Sequence, residues 1–141
     1  MSALRQRVFV RGGSRVAELD RRPVSHRLIL LALPRAITAR FDPAAAGELE
    51  AAFELRVRDP RGGEPARFAL SVADGHCEVR PGAASDAGAT VTVGGDDLIR
   101  MASGVAGWPE LLSAGRLELA GDPFLALRFP VLFRLPATPG G

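Results

Sequence analysis

Residues 53–80 read FELRVRDPRGGEPARFALSVADGHCEVR, and apolar and polar side chains alternate through most of this stretch. Three alternating runs are separated by turn sequences at 59–63 and at Asp74-Gly75. Alternation with a period of two gives each strand one apolar and one polar face. The stretch therefore predicts three consecutive antiparallel strands in a sheet that is buried on one face and wet on the other.

The alternation returns at 89–93 and at 116–119, which predicts a fourth and a fifth strand. Pro34 is expected to kink or restart the first helical segment, residues 26–40, and Pro130 is expected to end the last one, residues 124–129. The predicted fold class is α+β, a five-stranded and mainly antiparallel sheet covered on one face by helices. The main helical patterns occupy residues 26–40, 96–102, 108–112 and 124–129.

Three aspartates lie where a helix is expected to begin. Asp42 and Asp122 are each followed by proline, and Asp96 precedes an apolar helical pattern. An aspartate side chain accepts hydrogen bonds from the free N–H groups of a first helical turn, and proline suits the first position because it has no N–H there to leave unpaired. We therefore interpret the Asp96-Asp97 pair as part of a helix start and not as a catalytic pair of carboxylates.

The composition excludes several kinds of enzyme. All 18 basic residues are arginine, and lysine, tyrosine and asparagine are absent, which removes Schiff-base lysines, the P-loop lysine and Ser-Lys dyads. Two histidines and one cysteine are too few for a His/Cys zinc site. His76 and Cys77 are neighbours in a strand and should face opposite sides of it. We expect structural roles for His26 and His76, no catalytic residue, no metal and no cofactor, and hence no enzyme.

The positive charge is concentrated at the beginning of the sequence. Residues 1–27 hold seven arginines and two acidic residues, whereas residues 28–141 have a net charge of −3. We therefore expect a basic arm at 1–27, with one short strand pattern at Val8-Phe9-Val10, followed by a single domain at 28–141. GC-rich coding explains the arginines without a function, and a transient contact of the arm with a membrane surface is an alternative. Nucleic acid is disfavoured because Phe9 is the only aromatic residue among the arm's arginines.

The sequence also suggests a compartment. Its longest apolar run, residues 28–33, is far shorter than the ~20 residues that span a bilayer. The single Cys77 cannot form an intrachain disulfide and fits a reducing compartment. The beginning of the sequence has no apolar segment typical of a signal peptide. We therefore expect a cytoplasmic protein.

Residues 124–135 contain more apolar side chains than one buried helix face requires. They include three of the seven phenylalanines and only two charged residues, Arg128 and Arg134. The surplus can be covered by a ligand, by a partner subunit such as a second copy, by a membrane or by the first helix. If a ligand covers it, physical reasoning selects eight lipid-binding residues: Met101, Val105, Trp108, Leu112, Phe124, Leu125, Phe129 and Phe133.

Four stretches follow one another in a characteristic order: FELRV at 53–57, FALSV at 68–72 before Asp74-Gly75, ATVTV at 89–93 running into DDLI at 96–99, and SAGRLELAGD at 113–122. Because of them the chain resembles, from about Leu30 to Leu135, the sterol carrier protein 2-like (sterol-binding domain) family. The last stretch is the most specific of the four.

The resemblance implies an apolar tunnel between the sheet and the helices. It also implies non-catalytic binding or transfer of a lipid: a sterol, a fatty acyl chain, a phospholipid or another isoprenoid-like ligand. The sequence ends in Pro139-Gly140-Gly141 and not in a peroxisomal address, from which we expect a bacterial-type member. The alternative function is an accessory protein that presents hydrophobic intermediates to a lipid- or quinone-modifying enzyme, with the arm docking on that protein partner.

Overall fold

The computed structural model describes residues 23–140, with side chains from residue 26 onward. Most of the predicted arm, including Val8-Phe9-Val10, therefore lies outside the described residues. The elements, in chain order, are helices α1 (Pro23–Arg40) and α2 (Pro43–Ala46), strands β1 (Ala51–Arg58), β2 (Ala66–Ala73), β3 (His76–Pro81) and β4 (Ala89–Gly94), helices α3 (Gly95–Ala102) and α4 (Trp108–Ser113), strand β5 (Leu117–Gly121) and helix α5 (Pro123–Leu132).

The five strands form one sheet in the order β3-β2-β1-β4-β5. β1 is parallel to β4, and the other three pairs are antiparallel, which confirms the predicted mainly antiparallel sheet. The register aligns Phe53 of β1 with Leu70 on one side and Ala89 on the other. The apolar sets of neighbouring strands therefore fall on the same face and form one continuous apolar surface.

The helices cover this apolar face in a single layer. α1 packs against β3, α4 against β5, and α5 against β4 and β5. Leu33 and Ile37 of α1 and Leu132 of α5 are buried together with the apolar side chains of the sheet. The structure thus has two layers, as an α+β fold with a one-sided sheet requires.

Prolines inside two helices show where local sequence rules fail. α1 begins at Pro23, earlier than expected, and continues without a break through Pro34. The prediction that Pro130 ends α5 is wrong, because the helix runs to Leu132 with Pro130 inside it. A buried Pro130 costs α5 one backbone hydrogen bond, but tertiary contacts hold the last turn in place. The Asp42 N–H, for example, donates to the Leu132 carbonyl at 2.8 Å.

Two of the three predicted caps are present. The Asp42 carboxylate accepts a hydrogen bond from the Ala44 N–H, and that of Asp122 accepts from the N–H groups of Phe124 and Leu125. The prediction for Asp96 is wrong, because β4 runs directly into α3 and places Gly94 at the N-cap. Asp96 therefore lies inside the first turn, where its Oδ1 accepts from the Asp97 N–H at 2.9 Å.

The loop at 82–88 crosses the polar face of the sheet to connect β3 with β4, and Glu54 of β1 lies beneath it. The Ala84 N–H donates to Oε1 of Glu54 at 2.9 Å, and Arg56 donates to its Oε2. Burial of Glu54 raises the pKa of its carboxyl, but the bonds from Arg56 and Ala84 and the charges of Arg56 and Arg67 outweigh burial, so the pKa lies below its ordinary value. The ionised Glu54 therefore holds the crossing loop on the sheet.

A second buried carboxylate connects α3 to β5. Asp97 is only 4% exposed and receives two hydrogen bonds from Arg116, Nε to Oδ2 at 3.0 Å and Nη2 to Oδ1 at 2.7 Å. Two parallel bonds from one guanidinium make a strong and directional ion pair. This ion pair fixes the start of α3 against the strand that precedes α5.

We predict that Glu54→Gln lowers the free energy of unfolding at pH 7 by about 1–2 kcal/mol, because the Arg56 guanidinium loses its charged partner. Because folding lowers the pKa of the Glu54 carboxyl, its ionised form stabilises the fold above about pH 5. This stabilisation is lost as the pH falls through the folded-state pKa. Urea denaturation of both proteins between pH 7 and pH 3 measures this. The difference between them should shrink in acid, and a constant difference would contradict the role given to the Glu54 charge.

We predict a contrast between two adjacent aspartates. Asp97→Asn should lower the free energy of unfolding by about 1–2 kcal/mol, because the buried partner of Arg116 loses its charge. Asp96→Asn is the matched control and should change it by less than about 0.5 kcal/mol, because Asp96 is exposed and Asn can still accept from the Asp97 N–H. Equal effects in thermal unfolding would show that the ion pair does not anchor α3.

Candidate functional site

Four phenylalanine rings connect α1 and α5 to the sheet. Phe129 of α5 meets Phe53 of β1 edge to face, with 5.5 Å between the ring centroids and 69° between the planes. Phe133 lies 4.7 Å from Phe129 and 5.8 Å from Phe41. Tilted and edge-to-face pairs at these distances are attractive beyond the area they bury. They fix the inner side of α5 above the middle of the sheet.

The beginning of α5 rests directly on the backbone before β4. The Asp122 N–H donates to the Gly88 carbonyl at 2.9 Å. A Cβ placed on Gly88 would lie 2.6 Å from Cδ2 of Leu125, so a larger residue at position 88 would require the Leu125 side chain to shift. Leu125 thereby marks the point at which the inner side of α5 meets the rim of the sheet.

The eight predicted lipid-binding residues divide into three groups. Met101, Phe129 and Phe133 are buried in the core. Trp108, Leu112 and Leu125 are partly buried and pack against it. Val105 and Phe124 face outward, and Phe124 is 84% exposed. Six of the eight therefore lie in the core or against it, and two face outward.

Core side chains fill the space between α5 and the sheet, where Phe53, Leu55 and Leu132 have no exposed surface. Two cavities lined by described residues lie elsewhere. One, of about 370 Å³, is at the carboxyl ends of β1 and β4, and the other is an open groove of about 890 Å³ along α1. None of the eight predicted residues lines either cavity.

The smaller cavity is lined mainly by charged groups that already have partners. Arg116 is paired with Asp97, and the Nη2 atom of Arg58 lies 2.9 Å from Glu118. His26, at the start of α1, is 5% exposed and also lines the cavity. The two ion pairs join α3 to Arg116, just before β5, and β1 to β5. None of the described residues that line this cavity is a serine, threonine or cysteine.

The cysteine is placed as the strand pattern predicts. Cys77 is buried on the helical face, whereas its neighbour His76 is in the more exposed part of β3. Burial raises the pKa of the Cys77 thiol to about 11, and the charge of Glu78 adds to this effect. The thiol is therefore protonated at neutral pH and is not a nucleophile, since thiolates carry that reactivity.

A row of apolar side chains lies on the outer side of α5, and the sequence prediction includes only part of it. Phe124 is among the eight predicted residues, but Leu127 and Val131, which are also exposed, are not. Their spacing of three and seven residues from Phe124 is the signal that identifies one helix face. Between residues 23 and 140, no helix is both long and apolar enough to cross a bilayer.

The order of elements and the one-sided sheet are shared with known structures. Sterol Carrier Protein 2 Like 2 from Aedes aegypti has a TM-score of 0.63 at 23% identity, over 75% of this chain and 97% of that chain. The UbiJ-SCP2 ubiquinone synthesis protein has a TM-score of 0.55 at 18% identity, over 77% and 96%. The inverting sec-alkylsulfatase Pisa1 from Pseudomonas sp. has a TM-score of 0.55 at 22% identity, over 68% of this chain but only 15% of the sulfatase.

No curated protein matches the chain in sequence. The sequence pattern of the SCP-2 sterol transfer family matches residues 35–134, which include the whole sheet and the helices from α2 to α5. This match covers well over half of the chain and confirms the resemblance found in the sequence. The chain therefore belongs to the SCP-2 sterol transfer family.

Proposed function

We propose that the protein binds a lipid without catalysis, in an apolar site between α5 and the sheet, and transfers or presents it. The observation that carries this proposal is that α5 is apolar on both sides: Phe129 and Leu132 are buried, Leu127 and Val131 are exposed, and Arg128 is its only charged residue. A helix that only closed a core would carry polar residues on its outer side. The exposed Leu127 and Val131 lie outside the core, so α5 carries more apolar surface than folding requires, as expected of a helix in a lipid-binding protein.

Membership of the SCP-2 sterol transfer family supports lipid binding in general. A solution structure of the palmitated Aedes aegypti protein has a TM-score of 0.60 at 20% identity and covers 77% of this chain. The palmitate belongs to the insect protein, and it shows that a protein of similar fold carries a fatty acyl group. We therefore propose a lipid with a long hydrocarbon chain as the ligand class.

We propose that the ligand site consists of the six predicted residues that are buried in the core or packed against it. Trp108, Leu112 and Leu125 would form its rim, and the buried Met101, Phe129 and Phe133 would line its interior. A tunnel at this place requires part of the core to open, because core side chains fill the space beneath α5. The beginning of α5 is a suitable place for opening, since Phe124 there is exposed and Leu125 is only partly buried.

The expected affinity follows from the buried chain length. Each CH₂ group removed from water contributes roughly 0.8 kcal/mol, so about ten groups correspond to micromolar binding before the costs of association and of opening the core. No charged anchor lies among the six residues, so selectivity between lipid classes should be loose. We further propose a cytoplasmic location, in keeping with the single cysteine, which cannot form an intrachain disulfide.

The first experiment is organic extraction of the purified full chain, followed by mass spectrometry. A retained fatty acid, phospholipid or sterol is expected. A quinone or polyprenyl intermediate would instead favour the accessory function, which the fold of the UbiJ-SCP2 ubiquinone synthesis protein also makes relevant. A protein that retains nothing and takes up no added fatty acid contradicts lipid binding.

We predict that two leucines of α5 behave differently in fatty-acid uptake. Uptake is measured by the fluorescence of Trp108, which is the only tryptophan and belongs to the proposed site. Leu125→Ser should weaken uptake of cis-parinaric acid by about tenfold, because a rim side chain loses its apolar contact. Leu127→Ser, on the outer side of the same helix, is the matched control and should bind as the unchanged protein does. Equal binding by both variants would place the ligand elsewhere.

A further inference from the structure

One arginine joins the carboxyl ends of three helices. Arg40, the last residue of α1, donates from Nε to the Phe133 carbonyl at 3.0 Å and from Nη2 to the Arg134 carbonyl, both at the end of α5. Its Nη1 donates to the carbonyl of Ala102, the last residue of α3, at 3.4 Å. Carbonyl groups at a helix end lack partners within the helix, so one guanidinium supplies partners to two helices at once.

Two further contacts hold the same end of α5. The Asp42 N–H donates to the Leu132 carbonyl at 2.8 Å, and the ring of Phe133 lies 5.8 Å from that of Phe41. Phe133 is one of the six proposed ligand residues, and Met101, another of the six, directly precedes the last residue of α3. The contacts therefore fix the part of the proposed ligand site that Phe133 and Met101 line.

The beginning of α5 is held by fewer contacts. The Asp122 N–H donates to the Gly88 carbonyl at 2.9 Å, and Nη2 of the exposed Arg128 donates to the Ala45 carbonyl at 3.0 Å. Within the described chain, these two hydrogen bonds join residues 122–129 to other elements. The two ends of α5 are thus anchored unequally.

Pro130 separates the two parts of the helix. Proline has no N–H, so position 130 cannot donate to the Ala126 carbonyl, and the backbone bond that would join the two parts there is missing. Prolines inside helices are common points of bending. The Pro130 carbonyl accepts from the Leu135 N–H at 2.8 Å, which ties the proline itself to the anchored end.

We propose that α5 opens by turning residues 123–129 about Pro130, while Arg40 keeps the end of the helix and the inner wall of the ligand site in place. Arg40 is a positioning residue, because it binds carbonyl groups of the wall and not the ligand. This inference deepens the proposed function and rests on it. The movement takes Leu125 away from the rim of the sheet, whereas Phe129, next to the hinge, moves least.

Hydrogen exchange of the ligand-free full chain, followed by NMR, tests the unequal anchoring. The amides of residues 127–129 should exchange at least about tenfold faster than those of 131–133, although the last turn of a helix ordinarily frays. Arg40→Gln should speed exchange at 131–133 about tenfold. Arg35→Gln, exposed on the same helix, is the matched control and should leave it unchanged. Uniform exchange along α5, or equal effects of the two variants, overturns the anchoring role of Arg40.

Stopped-flow mixing with cis-parinaric acid, measured by Trp108 fluorescence, tests the hinge. Pro130→Ala supplies the missing N–H and should slow both uptake and release about fivefold, with the equilibrium affinity within twofold, because a gate changes both rates alike. Arg40→Gln should instead weaken the affinity about fivefold and leave the uptake rate within twofold. Unchanged rates in Pro130→Ala overturn the hinge, and an unchanged affinity in Arg40→Gln overturns the positioning role.

A reversible lock tests the opening without altering Pro130. In the double variant Gly88→Cys/Leu125→Cys, a disulfide would bond the beginning of α5 to the rim of the sheet, where these two residues are in contact. The oxidised protein should take up cis-parinaric acid at least about tenfold more slowly than the reduced form of the same protein, which is its control. Equal rates in the two forms contradict opening at this end.

Exchange in the absence of ligand separates this inference from the proposed function. A protein with the unequal exchange of α5 that takes up no fatty acid contradicts lipid binding and leaves the anchored helix standing. A protein that takes up fatty acid at rates that neither Pro130→Ala nor the disulfide changes contradicts the hinge alone.

Discussion

The structure depends on one constraint, which is that all of the apolar burial occurs on a single face of the sheet. The register places Phe53, Leu55 and Val57 on this face and the intervening Glu54 and Arg56 on the other. The helices must therefore form one layer, and each must contribute apolar residues to it. Among residues 23–140, the loop at 82–88 crosses the opposite face, where it is held by the Glu54 carboxylate and by backbone hydrogen bonds to Arg67 and Ala52.

The same constraint explains why α5 carries two separate apolar rows. Its inner row completes the core through Phe129 and Leu132, and the ring of Phe129 packs on Phe53 of the sheet. Its outer row has no partner among the described residues and adds nothing to the core. A sequence selected for stability alone would replace the outer row with polar residues, so the row is best explained by function.

Features set by neighbouring residues could be predicted from the sequence, whereas those with distant causes could not. The alternation at 53–80 predicts the strands and turns correctly, and Asp42 and Asp122 cap helices as expected because capping is a local interaction. The failure at Pro130 arises because the Asp42 N–H holds the last turn of α5 from elsewhere in the chain. The direction in which each predicted site residue points could not be predicted either, because it depends on packing against distant parts of the chain. Apolar residue types indicate that a side chain suits a lipid, but not which side of a helix faces the sheet, and the structure turns Phe124 and Val105 outward.

The parallel pairing of β1 with β4 has a consequence for how the chain folds. β1, β2 and β3 are joined by short turns and can form early, because their contacts are local. β4 can join only after the chain has passed through both hairpins and crossed back over the polar face, which requires the closure of a much longer loop. β5 and α5 come later still, since both pack on β4. Because α5 also follows every strand in the chain, the part of the sheet's apolar face that it covers stays exposed until α5 is synthesised and docks.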